Sequence, residues 1–339
     1  MKIGIANDLP MAVEALKRAV APKPSLRVIW VARNGREAVE ACAEEVPDLI
    51  LMDLLMPVMD GVEATRHIMA KSPCAILIVT ASVGANSRRA FEAMGYGALD
   101  AVDMPDFTPD NPALGSAALL AKIDTVGRLI GDKSGALAES GPGGRRTRGA
   151  RLLAIGASAG GPGALAEILP ALPRDFPGAI VIVQHVDAQF APGMAEWLGE
   201  KSSIPVRIAR EGDHLQRGAA LLASSGDHLC LKNADVLGYT VHPIEYVYRP
   251  SIDVLFQSIC QFWPGEAVGV LLTGMGRDGA LGLKALRNKG HHTIAQDAAS
   301  SAVYGMPKAA AAIGAANSIL ALDLIAPKLI ELFNRNREG

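Results

Sequence analysis

The chain has 339 residues, too many for one ordinary compact domain and about right for two that each bury a core. Hydrophobic residues make up 50%, charged residues 20% and aromatics 4%, which excludes a disordered or fibrous chain and fits an α/β protein rich in Ala, Gly and Leu. A net charge of -2 with both signs interspersed gives no field for a nucleic-acid backbone, so no nucleic-acid partner is expected.

The start, MKIGIAND, lacks the long apolar core of a signal peptide, and no apolar run approaches the ~18 to 20 residues that span a bilayer. A cytoplasmic protein with no direct membrane insertion is expected. Cys42, Cys74, Cys230 and Cys260 show no metal or redox spacing and read as small buried hydrophobes of a reducing compartment.

Short runs of Ile, Val and Leu at 2 to 6, 27 to 32, 48 to 52, 75 to 79 and 98 to 102 read as strands. Amphipathic stretches such as 11 to 20 and 36 to 45 lie between them. This alternation predicts a doubly wound, five-stranded parallel sheet over residues 1 to 125. Residues 126 to 149, dense in Gly, Ser and charge, read as a flexible linker, and the run Arg145-Arg146-Thr147-Arg148 as its solvated part. Over 150 to 339 the alternation resumes, with strands near 151 to 155, 179 to 183, 219 to 223, 228 to 232, 236 to 242, 267 to 272 and 292 to 295. A second α/β sheet domain follows, with a small antiparallel hairpin where residues 219 to 242 leave no room for helices.

In open parallel sheets ligands bind beyond the carboxyl ends of the strands. In the first domain those positions hold Asn7 and Asp8, Asp53, Thr80, and Met104-Pro105. Asp8 and Asp53 can hold a hard cation such as Mg²⁺, which would neutralise a phosphoryl group on Asp53, and the Thr80 hydroxyl could bond that group. An isolated Asp after a strand is more often a cap or turn residue. Here, however, the segment LILMDLLMPVMDGVEATR resembles the phospho-acceptor region of response-regulator receiver domains, with Asp53 as acceptor. Three positions depart from that pattern. Asn7 replaces one of two acidic residues, Ala101 an aromatic switch residue and Met104 a lysine, which weakens the expected Mg²⁺ site and the coupling of phosphorylation to conformation.

In the second domain the strand at 151 to 155 runs into Gly156-Ala157-Ser158-Ala159-Gly160-Gly161-Pro162-Gly163 and then a helical pattern. Such a turn suits a phosphate cradle or a G-x-S-x-G nucleophile turn, or simply lets helix and strand approach closely. The spacing is not G-x-G-x-x-G and no P-loop lysine follows. Two further strands end in Gln184-His185 and in Thr273-Gly274-Met275-Gly276-Arg277-Asp278-Gly279, which can bring Ser158, His185 and Asp278 to one sheet edge. His185 could take the serine proton and Asp278 orient the imidazole. The order Ser, His, Asp differs from that of an α/β-hydrolase, whose histidine would have to be His291 or His292. His67, His214, His228 and His242 read as structural or solvated.

The motifs GASAGGPGAL, VIVQHVD, LLTGMGRDGA and AVYGMPKAA resemble the catalytic domain of chemotaxis protein-glutamate methylesterases, the CheB family, which joins a receiver to this domain through a linker. The resemblance implies Ser158 as nucleophile, His185 as general base and acid, Asp278 as orienter, and backbone support of the oxyanion at Ala159 and Met275, with no cofactor for catalysis. It implies a glutamate γ-methyl ester on chemoreceptor cytoplasmic helices as substrate, with glutamine deamidation in some members. A partner histidine kinase would relieve a block by the receiver. The segment MKIGIANDLPMAVEALKRA resembles the branch serving Wsp-type surface-sensing systems. A non-enzymatic signalling module and a general esterase are the competing readings.

Overall fold

The computed structural model describes residues 1–105, 112–131, 151–224, 226–246 and 248–334. By internal contacts the chain divides into two compact units, Met1–Ser134 and Gly135–Gly339.

The first unit alternates strand and helix: β1 (Lys2–Ala6), α1 (Pro10–Val20), β2 (Arg27–Ala32), α2 (Gly35–Glu44), β3 (Leu49–Met52), α3 (Gly61–Lys71), β4 (Ala75–Thr80), α4 (Ser87–Gly95), β5 (Asp100–Asp103) and α5 (Pro112–Gly131). All five strands are parallel, in the order β2-β1-β3-β4-β5. Every residue of β3 is buried, as a strand covered on both faces requires. Helix starts are set by side chains that accept free N–H groups. Asn34 accepts from the Glu37 N–H at 3.0 Å while Glu37 accepts from the Arg33 N–H at 2.8 Å, and Asp60 accepts from the Glu63 N–H at 2.9 Å. α3 begins against the acceptor loop, where a Cβ on Gly61 would lie 1.9 Å from the Asp53 carbonyl oxygen, so only glycine fits. Of the linker expected over 126 to 149, residues 126–131 continue α5, and the rest, with the basic run, lies outside the described residues.

The second unit contains β6 (Arg151–Ala157), α6 (Gly161–Ala171), β7 (Ala179–Gln184), α7 (Ala191–Lys201), β8 (Val206–Ile208), β9 (Ala220–Leu222), β10 (His228–Leu231), β11 (Leu237–Thr240), α8 (Ile252–Phe262), β12 (Glu266–Leu271), α9 (Ala280–Asn288), β13 (His292–Gln296), α10 (Met306–Ala312), β14 (Ser318–Leu320) and α11 (Leu322–Asn334). Seven strands form a parallel sheet in the order β14-β13-β12-β6-β7-β9-β8. The antiparallel hairpin is β10 with β11, His228 opposite Thr240. β9 stands apart from the hairpin and joins the main sheet, parallel to β7 and β8.

β6 lies at the centre, and from it the chain order runs outward in both directions, through β7 and β9 on one side and β12 and β13 on the other. This reversal point is where an open parallel sheet opens a crevice at its carboxyl edge. Leu153, Ile155, Val181, Val183, Val270 and Leu271 are fully inaccessible within the three central strands. Each such side chain contributes about 1.5–3 kcal/mol by burial, so these strands are the rigid frame of the unit. Among the described residues no helix is long and apolar enough to cross a membrane.

Candidate active site

β6 carries Ser158 just past its last residue, Ala157, which is in register with Gln184 of β7. Pairing continues one step beyond both strands: the His185 N–H donates to the Ala157 carbonyl at 3.0 Å, and the Ser158 N–H donates to the Thr273 carbonyl, beyond β12, at 3.1 Å. Three strand ends thus converge on one edge. The chain then turns sharply. Gly160 adopts φ +75°, a conformation open to glycine, and the Gly161 N–H returns to the Ser158 carbonyl at 2.8 Å as α6 begins.

His185 and Asp278 are brought together, with Nε2 2.8 Å from Asp278 Oδ2. The remaining ring nitrogen, Nδ1, is buried and has no hydrogen-bond partner, and among the described residues the Ser158 hydroxyl makes no hydrogen bond either. An ionised carboxylate accepts only, so Asp278 favours a proton on Nε2, and in the neutral ring the lone pair is then on Nδ1. Ser158 and His185 therefore lie on adjacent strand ends without a hydrogen bond between their side chains.

Asp278 is held by more than the histidine. Oδ2 also accepts from the Ile252 N–H at 2.7 Å, and Oδ1 accepts from the Ser251 hydroxyl at 2.8 Å and the Asp253 N–H at 3.1 Å. These donors are the amino-terminal end of α8, where the helix dipole favours negative charge. Burial is the strongest influence and pushes the Asp278 carboxyl up, but the bond and charge of His185, with the Ile252 and Ser251 bonds, outweigh it and hold the group below the usual carboxylate range. Ser251 is itself fixed by fully buried His228, whose Nδ1 accepts the Ser251 N–H at 3.1 Å.

Ala159 and Met275 flank the serine on the two loops, both buried. Among the described residues neither backbone N–H donates a hydrogen bond, so both are available to a developing oxyanion. His291 takes no part. Its Nδ1 accepts from the Ala267 N–H near the start of β12, and His292 opens β13 opposite Val268, so both stand at the strand starts, away from the edge that carries Asp278, and the α/β-hydrolase arrangement is not formed.

In the first unit Asp53 follows β3, and its own N–H donates to the Ala6 carbonyl of β1 at 2.9 Å. Oδ1 accepts from the Leu54 N–H at 2.7 Å, and Oδ2 accepts from the Asn7 amide at 3.1 Å. The Asn7 amide is oriented by the Leu9 N–H, which donates to its Oδ1 at 2.9 Å. Burial pushes the Asp53 carboxyl up, backbone donors at Leu54 and Leu55 and the Thr80 hydroxyl oppose this, and the charge of Asp8 adds to the rise. Thr80 also accepts from the Asn86 amide at 3.2 Å. Ala101 is fully buried in β5, and Met104, beside it, donates its N–H to the Thr80 carbonyl at 2.8 Å. Among the described residues no cationic side chain pairs with Asp8 or Asp53. Two adjacent, uncompensated carboxylates fit a hard divalent cation, although no cluster of three or more metal-ligating side chains is found among the described residues.

The CheB methylesterase family matches residues 153–329, and the response regulator receiver domain matches residues 3–106. The chain belongs to the CheB methylesterase family. A Burkholderia lata relative named protein-glutamate methylesterase/protein-glutamine glutaminase 2 is 61% identical over 99% of both chains. A Pseudomonas syringae pv. syringae protein of the same name is 59% identical over 99% of this chain and 100% of its own length. The crystal structure of the Thermotoga maritima CheB methylesterase catalytic domain superposes with a TM-score of 0.52 at 33% identity, covering 54% of this chain and 98% of that one.

Sequence reasoning singled out Ser158, His185 and Asp278, of which the structure brings His185 and Asp278 into contact, but passed over the residues around them. Gln184 is almost completely buried, and its amide donates to the Ser158 carbonyl at 2.8 Å and the His185 carbonyl at 3.1 Å. Ser251 and Asp253 were also missed. The readable signal was Pro250-Ser251-Ile252-Asp253 ahead of an apolar helical run, a helix-start pattern.

Proposed function

We propose that the protein is a phosphorylation-regulated protein-glutamate methylesterase that hydrolyses glutamate γ-methyl esters on chemoreceptor cytoplasmic helices. The observation that carries this reading is the 2.8 Å contact of His185 Nε2 with Asp278 at the strand end next to that of Ser158; a neutral imidazole with its proton on Nε2 has Nδ1 left to act as the base. Ser158 Oγ attacks the ester carbonyl carbon while its proton passes to His185 Nδ1, and the carbonyl oxygen takes the electron pair among the N–H groups of Ala159 and Met275. Collapse of this adduct expels methoxide, which leaves as methanol with the proton from Nδ1. Water then attacks the acyl-serine as His185 takes one of its protons, and collapse returns that proton to Ser158 Oγ and releases the glutamic acid side chain, which loses its own proton to solvent as glutamate. Asp278 stays ionised throughout and stabilises the imidazolium. A glutamine side chain enters the same cycle with ammonia as leaving group, so deamidation is part of the proposal. Nothing in this cycle calls for a cofactor.

Control is assigned to Asp53, phosphorylated by a histidine kinase of the chemosensory array. Mg²⁺, when bound, supplies the positive charge that a transferring phosphoryl group needs, with Asp8 and Asp53 as its side-chain ligands and Thr80 contacting the phosphoryl. A cytoplasmic enzyme acting on an array of the Wsp type suits the amino-terminal segment with its Asn7.

The test is methanol release from membranes carrying methylated receptor, using the full chain with and without a small-molecule phosphodonor and Mg²⁺. The proposal expects release that rises with phosphodonor and disappears in Ser158→Ala. Release that survives Ser158→Ala defeats the serine mechanism, and rapid hydrolysis of small soluble esters with none from receptor would favour a general esterase.

A further inference from the structure

Tyr248 stacks flat on the imidazole of His185, with ring centroids 4.4 Å apart and an interplanar angle of 2°. It stands three residues before Ser251, whose hydroxyl donates to Asp278. One short stretch of chain therefore covers the face of the imidazole and also holds the acid at its edge. The tyrosine hydroxyl reaches the loop after β12, where a Cβ on Gly276 would come within 3.3 Å of it.

The bond from Nε2 to Asp278 fixes one point of the imidazole but leaves the ring able to rock about that contact. A parallel ring restrains the plane. In addition, an aromatic face attracts a cation within about 6 Å of its centroid. His185 becomes such a cation when it takes the serine proton. We propose that Tyr248 is a positioning residue for His185: it holds the imidazole plane so that Nδ1 addresses Ser158, and its ring face offsets the charge the imidazole acquires. The proposal rests on the Ser-His-Asp reading of the function.

The experiment measures kcat and KM for methanol release from methylated receptor membranes and, separately, the rate at which phenylmethylsulfonyl fluoride labels Ser158, read by intact mass. In the labelling step the Oγ–S bond forms as S–F breaks, fluoride leaves and the hydroxyl proton goes to His185 Nδ1. This step needs no receptor, so it separates activation of the serine from docking. Tyr248→Leu should lower kcat and the labelling rate together, on the order of tenfold, with KM within about twofold. Tyr248→Phe, which keeps the ring face, should restore both. Should Tyr248→Leu melt much below the wild type, Tyr248→Met is read in its place. A raised KM with labelling at the wild-type rate would overturn the proposal by making Tyr248 a receptor contact. Equal damage in Tyr248→Phe would overturn it by assigning the effect to the hydroxyl. His185→Ala, run alongside, separates the two claims: if it keeps full labelling and turnover, the Ser-His reading itself fails, whereas an inactive His185→Ala with an unaffected Tyr248→Leu sinks only the present inference.

Discussion

The carboxylate of Asp278 lies on the amino-terminal end of α8, and the carboxylate of Asp253, inside the first turn of α8, lies on the amino-terminal end of α9, the helix that Asp278 precedes. Asp253 accepts from the Gly282 N–H at 2.6 Å, and the N–H groups of Gly279 and Leu281 also favour its charge. Each acid thus meets the positive end of the other's helix. Burial, and then the charge of Asp278, nevertheless push Asp253 up to about 7. The two acids shift in opposite directions, so as pH falls the pair takes its first proton at Asp253 rather than at the acid that faces His185.

Asp253 should make stability depend on pH in a defined direction. Its folded value of about 7 exceeds the unfolded value of 3.8, so its contribution is fully present below the unfolded value and is lost as pH rises through the folded one. Asp253→Asn keeps an oxygen for Gly282 and has no proton to lose. Urea unfolding at pH 5 and pH 8 should show the wild type losing stability relative to the variant, by something of order 2 kcal/mol. Parallel pH profiles for the two proteins would remove Asp253 from this role.

Asp278→Asn should cost much of the turnover without unfolding the protein. An amide facing Nε2 favours the tautomer with its proton on Nδ1, the nitrogen that must accept from Ser158. A fall in kcat of roughly 10³ to 10⁴-fold is expected, with His185→Ala at least as severe. Single-turnover methanol release checks this, and a fully active Asp278→Asn excludes the acid from the mechanism.

Gln184→Ala removes the amide that ties the carbonyls of Ser158 and His185 together. Turnover should fall by about tenfold with little change in KM, since a small misplacement of reacting groups is costly. Gly161→Ala should reproduce the defect, because its Cβ would stand 2.0 Å from Gln184 Oε1 and drive that side chain out. The double variant should be little worse than either single one, as the two changes break the same contact. Strictly additive losses would separate them.

Asn7→Asp restores a carboxylate beside Asp53 and removes the amide donor to Oδ2. The extra charge should lower the Mg²⁺ concentration needed for half-maximal phosphorylation of Asp53 by at least about threefold. Intact-mass labelling with a small phosphodonor across a Mg²⁺ series measures this, with Asp53→Ala as the background. An unchanged Mg²⁺ requirement would mean that Asn7 does not limit the site.

Both sheets were legible because their strands are short apolar runs separated by helix-period segments, and Asp53, Ser158 and His185 each stand within three residues of the end of such a run. β8 and β14 were not. They are three-residue edge strands with half-exposed patterns, so neither supplies the continuous apolar signal of a buried strand. β9 carries such a signal, yet its parallel partners β7 and β8 are set by tertiary pairing that the run itself does not specify. The holders of the site escaped for a related reason. Gln184, Ser251 and Asp253 bond groups of residues distant in the chain, namely the Ser158 carbonyl, the Asp278 carboxylate and the Gly282 N–H, and no local pattern encodes those contacts.

The direct bond from the His185 N–H to the Ala157 carbonyl has a further consequence. Ser158 and His185 stand at the ends of neighbouring strands of the rigid centre, so the spacing of their backbones is a sheet spacing of about 4.8 Å and owes little to any surface loop. The acid comes from a loop and needs a helix end to steady it. Under heating or mutation, orientation of the imidazole should therefore fail before the serine and histidine part. Variation at the rim of the crevice can then proceed while the backbone pairing that sets Ser158 beside His185 stays intact.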